Sequence, residues 1–532
     1  MAYTVFQAGS TLYGMDPRGS TVSLTLPTGV TLDSAVPARF AVFGNYVVMV
    51  NSPSRPITID ANLNVRLLTP NAPIVKPVLT GPSAGSLNGT YRCKQTFVVF
   101  DQFGRLISES DYGPVSDEVT VTAKILRAAS LNIASDTVSG SRVYRTTTGT
   151  AVYFKWIDLD GNTQTSIDDA LIDAGLAPFA APYLGTPPDL SLVAEFRSRL
   201  FGVAKSDPDY LRYSAAGRMY AWPTDNVQPM PRFGSDSRGI TGFLRRRDAL
   251  GVGRENGLYQ FTGTSDSDFR IISVSEDTGV ESPDSVAVFK NTAFFLWKDG
   301  IYTWNENGVN NISDGKIQRW FTRDDTFNLS RLKNSFAVID PFRKKYRLFL
   351  ASAGSVIEDC WIEYDFQTGN FWGPHTSHAM NPSAAFRFAA ASGLSIPAVG
   401  GTDGFVRLDR KKRTDDSATA IDFDVVTNRD NASSAFDVPV ATEEKYFGEL
   451  IVSMKPQPDG GLTVQSVAGE PDTLRTDDTF TDEADLTQST QSVSRVGIGK
   501  AMKIRFRNNE PDTDVVLRGY EVDPVHVVGK RL

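Results

Sequence analysis

The chain has 532 residues, 41% hydrophobic and 22% charged, which excludes wholesale disorder and coiled coil and suggests roughly three or four domains. Lys and Arg total 54 against 62 Asp and Glu, a formal charge of −8, so the chain is not built to cling to phosphate through its bulk charge. Two cysteines, Cys93 and Cys360, make neither a disulfide framework nor a metal-ligand spacing and are expected as separate core thiols.

In chain order, the opening MAYTVFQAGS has no positive region and no long apolar run. No uncharged apolar stretch of about 18 residues follows, so neither a signal peptide nor a membrane span is expected. Helix-period segments are scarce. Short apolar runs bounded by Gly, Asn, Asp and Pro recur about every ten residues and read as strands. Examples are residues 46–50, 96–100, 118–123, 293–297, 346–351 and 503–507, with turn pairs such as Asp160-Gly161 and Asp299-Gly300. One helix is expected, with Ser313 as N-cap and Ile317, Trp320 and Phe321 on one face.

A unit repeats along the chain: an apolar strand, a turn with Asp, Gly or Asn, then a second strand carrying an aromatic, as in TAFFLWKDGIYTW at 292–304. The units start at about 46, 200, 250, 294, 347 and 397. Later intervals of about 44 to 53 residues suit four-stranded propeller blades. The first interval, 154, holds about 105 residues too many, the size of an immunoglobulin-like domain. The expected fold is therefore all-β: a β-propeller of about six blades, with room for a seventh, with an inserted immunoglobulin/fibronectin-III-like domain and a C-terminal β-sandwich. Residues 1–72 would hold the first blade and a strand pair around 11–16 that closes the ring by pairing with the last unit. The insert would occupy 73–187, the remaining blades 188–410 and the sandwich 411–532.

Candidate chemistry is thin. The G-x-S-x-G at Gly81–Gly85 runs into another strand where a nucleophile elbow needs a helix. His375 and His378 form an H-x-x-H pair, but the only other histidine is His526 and no carboxylate marks a third ligand. Asp158-Leu-Asp160-Gly161-Asn162 has its glycine at the wrong position for a calcium loop and reads as a turn. Gly251-Val-Gly253 and Gly497-Ile-Gly499-Lys500 lack the remainder of a phosphate cradle. No cofactor or metal set stands out. Three basic runs remain: Arg245-Arg246-Arg247, Arg343-Lys344-Lys345 and Arg410-Lys411-Lys412-Arg413. Each falls in an expected turn, as a solvated charge run or as a contact with DNA or a partner.

The order of features from about residue 40 to 410 is similar to that of the tail nozzle proteins of short-tailed bacteriophages, also called tail tubular or packaged-DNA stabilisation proteins. It runs NYVVMVNSPSRPITIDANLNVRLL, GSLNGTYRCKQTFVVFDQFGRLISESDYGPVS, SRLFGVAKSDPDYLRYSAAGRMYAWP, LGVGRENGLYQFTG, DTGVESPDSVAVFKNTAFFLWKDGIYTW and WIEYDFQTGNFW. The resemblance implies a structural, non-catalytic virion protein assembled in the bacterial cytoplasm. It implies a ring, expected as a hexamer, contacting tail adaptor and fibre or spike proteins, whose lumen retains packaged double-stranded DNA and conducts it at ejection without sequence specificity. Two other readings stay open. A glycan-binding propeller of a fibre base or adhesin would expose an aromatic cluster, with Tyr220, Trp222 and Trp372 as candidates. A polysaccharide-degrading propeller would need two carboxylates in a cleft, for which Asp299 and Glu363 are the candidates.

The charge is unevenly divided. Residues 414–532 hold 12 Lys and Arg against 22 Asp and Glu, leaving 42 and 40 in the first 413. The acidity belongs to the C-terminal domain, and the propeller is near neutral. A conduit is expected to carry acidic or neutral walls, with basic residues as isolated rings, because each neutralised phosphate adds affinity that retards passage.

Overall fold

The run at 46–50 is apolar without alternation because both faces of its strand are covered. In the computed structural model, Tyr46–Asn51 sends Val48 and Val50 into a cluster with Leu190 and Leu200. It sends Val47 and Met49 into another with Leu12 and Leu24. Thr292–Trp297 repeats the device: Phe295 packs with Leu244 and Leu258, while Phe294 and Leu296 pack with Ile339 and Leu348. A sheet buried on both faces needs a neighbour on each side, and a ring of such sheets satisfies every member.

The structure describes residues 3–51, 54–232, 238–265, 268–323, 325–376, 381–391, 393–402, 406–408, 423–426, 443–458, 460–469, 480–508, 515 and 517–527. The chain divides into two compact units, the propeller with its insert and the C-terminal sandwich. The propeller has seven antiparallel sheets in chain order: blade 1 (residues 4–24), blade 2 (39–67), blade 3 (190–229), blade 4 (242–275), blade 5 (287–311), blade 6 (336–376) and blade 7 (382–408). Blades 2 to 6 have four strands, and blades 1 and 7 have three described strands each. The first strands of blades 2 to 7 are innermost and touch in series. Blade 7 meets blade 1 through Met15, Phe388 and Ala398, with the Phe6 and Phe386 rings stacked 5.9 Å apart.

The all-β propeller with two further sandwiches matches the expected fold, with seven sheets in place of about six. The N-terminal pair does not join the last unit. Thr11–Met15 pairs with Thr4–Ala8 and Thr21–Leu24 in a sheet of its own, and blade 7 reaches it by side-chain packing and a backbone hydrogen bond from Ala391 N to Pro17 O at 3.0 Å, not by strand pairing among the described residues. The expected helix is also corrected. It spans only Arg319–Thr322, and the Ser313 hydroxyl is taken by Ile301 N and Asn311 Oδ1, so Ser313 contributes its carbonyl rather than a side-chain cap. Ile317 and Phe321 are nonetheless buried.

Turn chemistry recurs between strands. Asp16 in blade 1, Asp60 in blade 2 and Asp101 in the insert each accept backbone N–H groups two and four residues ahead, closing tight turns. Gly251 has a different reason: a Cβ there would lie 2.6 Å from Trp304 Cζ3, so the glycine lets blades 4 and 5 approach. That close approach accounts for the first glycine of the Gly251-Val-Gly253 run.

The insert is a sandwich. One layer has the order Leu106–Glu109, Cys93–Phe100, Gly140–Thr146, Tyr153–Asp160; the other is built from Val78–Thr80, Ala84–Tyr91, Val119–Lys124, Leu126–Ala129 and Ile167–Asp169. Leu87, Tyr91, Cys93, Val143 and Trp156 fill the space between. The C-terminal unit packs a four-stranded sheet (Phe423–Val426, Ala501–Asn508, Gly461–Gly469, Phe480–Asp485) on a three-stranded one (Thr490–Gly499, Lys445–Met454, Leu517–Val527), around Phe447, Leu450, Ile504 and Phe506.

Burial pushes the Cys93 thiol up to about 11 and the Cys360 thiol up to about 12. Neither thiol should react with iodoacetamide near pH 8 until the chain unfolds. Rapid labelling of native protein, read by intact mass, would contradict that burial.

Candidate interaction surfaces

Each blade enters on its inner strand, and its outer strand feeds the next blade, so the inner strands all run in one sense. Their first residues gather at one end of the propeller axis and their terminal turns at the other.

At the starting end lies a cavity of about 390 Å³ lined by Arg39, Phe40, Leu192, Asp284, Phe336 and Ser383, among others. Arg39 of blade 2 reaches across it to Asp284, which precedes blade 5, with Nε to Oδ1 at 2.9 Å and Nη2 to Oδ2 at 2.7 Å; Nη1 donates to Ser191 O at 3.1 Å. A planar guanidinium held bidentate on one carboxylate and anchored on a third blade is a cross-brace. It bridges the axis of the single propeller.

At the other end sit two of the basic runs, and the structure sorts their members. Arg245 is exposed and ion-paired with Glu195, and Arg247 is exposed with its backbone N–H on Asn291. Arg246 is buried, 4.6 Å over the Trp304 ring and 3.2 Å from Asp248, so it is a packing element and not a contact residue. Arg343 and Lys344 are exposed at the blade 6 turn. Lys345 has turned inward: its Nζ donates to Glu363 at 2.5 Å. The run Arg410–Arg413 lies outside the described residues.

Several of these turns place a non-glycine residue in the left-handed region: Arg197 (φ 52) and Ser198 (φ 57) in blade 3, Lys290 (φ 55) in blade 5 and Lys344 (φ 57) in blade 6. Each such residue costs about 1 kcal/mol that glycine or asparagine would largely avoid. Sequence reading missed Arg197 and Lys290 because each stands alone. Aligning the repeats on their first turn would have placed both beside Arg247 and Lys344.

The candidate catalytic carboxylates are engaged in separate networks. Asp299 accepts from Tyr302 OH at 2.8 Å and from Gln318 Nε2 at 3.0 Å. Glu363 is buried between Lys345 and Arg347, whose Nε lies 2.8 Å away. Burial alone would raise its pKa, but Arg347, Lys345 and nearby His375 overcome that and hold it at about 2. A carboxyl so held does not donate a proton as a general acid at neutral pH. His375 packs tilted against Trp361 with ring centroids 5.6 Å apart, with Nε2 unpartnered, and burial lowers its pKa. Its proposed mate His378 lies outside the described residues, and among those described no three metal-ligating side chains converge. Asp158 is taken by Arg142 and Lys155, which accounts for the motif around it.

Of the three aromatics proposed as a glycan platform, Tyr220 and Trp222 are buried and only Trp372 is exposed. Trp222 Nε1 donates to Met219 O at 2.9 Å. Both buried rings belong to the seat of the insert. Thr69 Oγ1 donates to Tyr220 O at 2.7 Å, Ser108 Oγ donates to Leu68 O at 2.8 Å, and Leu106 and Tyr112 pack on Tyr220 and Ala221. The insert itself is where apolar surface is left open. Among the described residues, 10 of the 22 exposed large apolar side chains lie within 73–187, about a fifth of the chain, with Tyr183 86%, Ile74 85%, Phe179 81% and Phe103 72% exposed.

No protein-family model matches the sequence, and no curated relative matches it. Among solved structures the chain is similar to BamB from Moraxella catarrhalis, at 11% identity and a TM-score of 0.31 over 76% of this chain and 92% of that one. It is similar to AztD from Citrobacter koseri, at 10% identity and a TM-score of 0.31 over 77% and 93%. A third is YCF48 bound to D1 peptide, at 9% identity and 0.24 over 66% and 90%. Identities and scores of this size say nothing of what the chain binds; its own sheets make it an all-β propeller protein.

Proposed function

We propose that the chain is a ring-forming structural subunit of a bacteriophage tail, of the nozzle kind, whose assembled lumen retains and conducts double-stranded DNA. The carrying observation is the apolar surface left open on the insert. The insert carries nearly half of the exposed large apolar side chains among the described residues, and Ile74, Phe179 and Tyr183 supply the kind of surface that a partner covers in an assembly. The order of sequence features supports the same reading, and so does the braced axis. A duplex does not fit a 390 Å³ cavity crossed by Arg39 and Asp284, so any DNA path has to be formed between copies.

Native mass spectrometry and electron microscopy of the purified protein, alone and with its tail neighbours, should give a closed ring. Ile74→Asp and Phe179→Asp, at exposed positions, should disperse it while leaving Tm within about 2 °C. A chain that stays monomeric in every mixture and binds or cleaves glycan would overturn this assignment.

A further inference from the structure

The inner turns of blades 3 to 6 form one continuous feature that no sequence run reveals. They carry six exposed cations on four successive blades: Arg197; Arg245 and Arg247; Lys290; Arg343 and Lys344. All four turns emerge at the same end of the axis, since the inner strands run in one sense. Three acids stand in or beside those inner turns, and Asp225, Asp268, Glu306 and Asp365 stand in the outer turns of the same face. Glu195 holds Arg245, Asp248 holds the buried Arg246, and Asp340 caps its own turn through the N–H groups of Phe342 and Arg343 and lies 3.7 Å from Arg343 Nη1. On the outer turns of that face, Asp268 is bound by Thr264 and Ser265 and Glu306 by Asn291. Hydrogen bonds leave those outer carboxylates charged, but the inner turns themselves hold seven cations, Arg246 included, against Glu195, Asp248 and Asp340, so the arc is positive on a propeller whose net charge is close to zero.

Two details argue that the cations are placed and not merely tolerated. Arg197, Lys290 and Lys344 occupy left-handed positions that favour glycine, in three different blades. The arc also lacks an apolar centre: Phe342 is the one large apolar side chain exposed in those four turns among the described residues. Protein partners ordinarily anchor on buried apolar or aromatic groups. A repeating lattice of phosphates requires only spaced cations, and arginine suits it best.

We propose that this face is a docking surface for the phosphodiester backbone of nucleic acid, bound without sequence preference, with those six residues as phosphate contacts. Such a surface holds DNA weakly and reversibly. It stands on charge and turn geometry and does not depend on the ring.

The test uses the full chain and a fluorescein-labelled duplex of mixed sequence, followed by anisotropy as salt is raised. The wild type should bind at low salt, with log affinity falling against log salt at a slope near −5 for six contacts. The triple variant Arg197→Gly, Lys290→Gly and Lys344→Gly removes three cations while relieving the left-handed backbone, so it should fold at least as well. Its slope should drop to about −3 and its low-salt affinity by at least about tenfold. No binding at low salt, or an unchanged slope in a folded triple variant, would sink the proposal. Preferential binding of poly-glutamate over duplex would assign the arc to an acidic protein and sink it too. Mass measurement on the same samples reads the ring separately: a monomer that binds duplex in this way removes the ring and leaves the docking surface.

Discussion

Replacing Asp173 by alanine is expected to destabilise the inserted sandwich by about 3 kcal/mol, more than Arg145→Met does at the other end of the same ion pair. Arg145 is fully buried between the Tyr91 and Trp156 rings. Its Nη1 lies 2.6 Å from Asp173 Oδ1, and its other hydrogen bonds go to Leu171 O at 2.6 Å and Thr146 O at 3.0 Å. Removing the carboxylate leaves a guanidinium with no counter-charge in a site closed to water. Removing the guanidinium leaves Asp173 partly solvated and still accepting from Thr148 N at 2.9 Å. Methionine fills the vacated volume, and the loss is confined to the two unmet carbonyls, about 1–3 kcal/mol. Thermal unfolding of both variants, with hydrogen exchange to localise the effect, decides the order. Equal losses, or a larger loss for Arg145→Met, would show that packing around the arginine matters more than its charge.

The second large effect is on acid stability. Glu363 has an ordinary pKa of 4.5 and is held at about 2 in the folded chain. A folded pKa below the unfolded one means that its contribution is complete above about pH 5 and disappears as pH falls from about 4.5 to about 2. At neutral pH that contribution is about 3 kcal/mol. His375 acts in the same direction from a higher pH. Burial holds its folded pKa below the ordinary 6.5, so protonation below that value also favours unfolding. Glu363→Gln should lower Tm at pH 7, because Lys345 and Arg347 lose that carboxylate, and should flatten the stability curve between about pH 5 and pH 2. Urea unfolding across that range reads both. A variant with an acid limb as steep as that of the wild type would show that the loss arises elsewhere.

Much of the architecture was legible because the code for a blade is local. Runs such as NYVVMV and TAFFLW are apolar on both faces, and only a sheet between two neighbours needs that. Blade 1 escaped because its first strand, Thr4–Ala8, is only half-buried along its whole length, and Gly14 sits in the next strand against Leu63. Its run is too sparse to register as a repeat. The helix at Arg319 was overestimated because apolar spacing marks which residues face the core, and Ile317 and Phe321 do so, but spacing does not say whether a turn propagates. The basic runs were visible as runs, yet strand alternation decides which members face solvent. That is why Arg246 and Lys345 are internal while their neighbours are not. The axial brace was invisible, since Arg39 and Asp284 are 245 residues apart and nothing local marks either.

The independent first sheet also sets a clock. Phe6 waits for Phe386, about 380 residues later, before its stacking partner exists. At synthesis rates of about 5–20 residues per second that interval is about 20–80 s. Throughout it, the face of blade 1 that will meet blade 7 has nothing to cover it, and the nascent ring is an open arc whose two ends are the last surfaces to be joined. A slow stretch of translation or a holding chaperone acting in that interval would alter yield without altering one contact of the finished molecule.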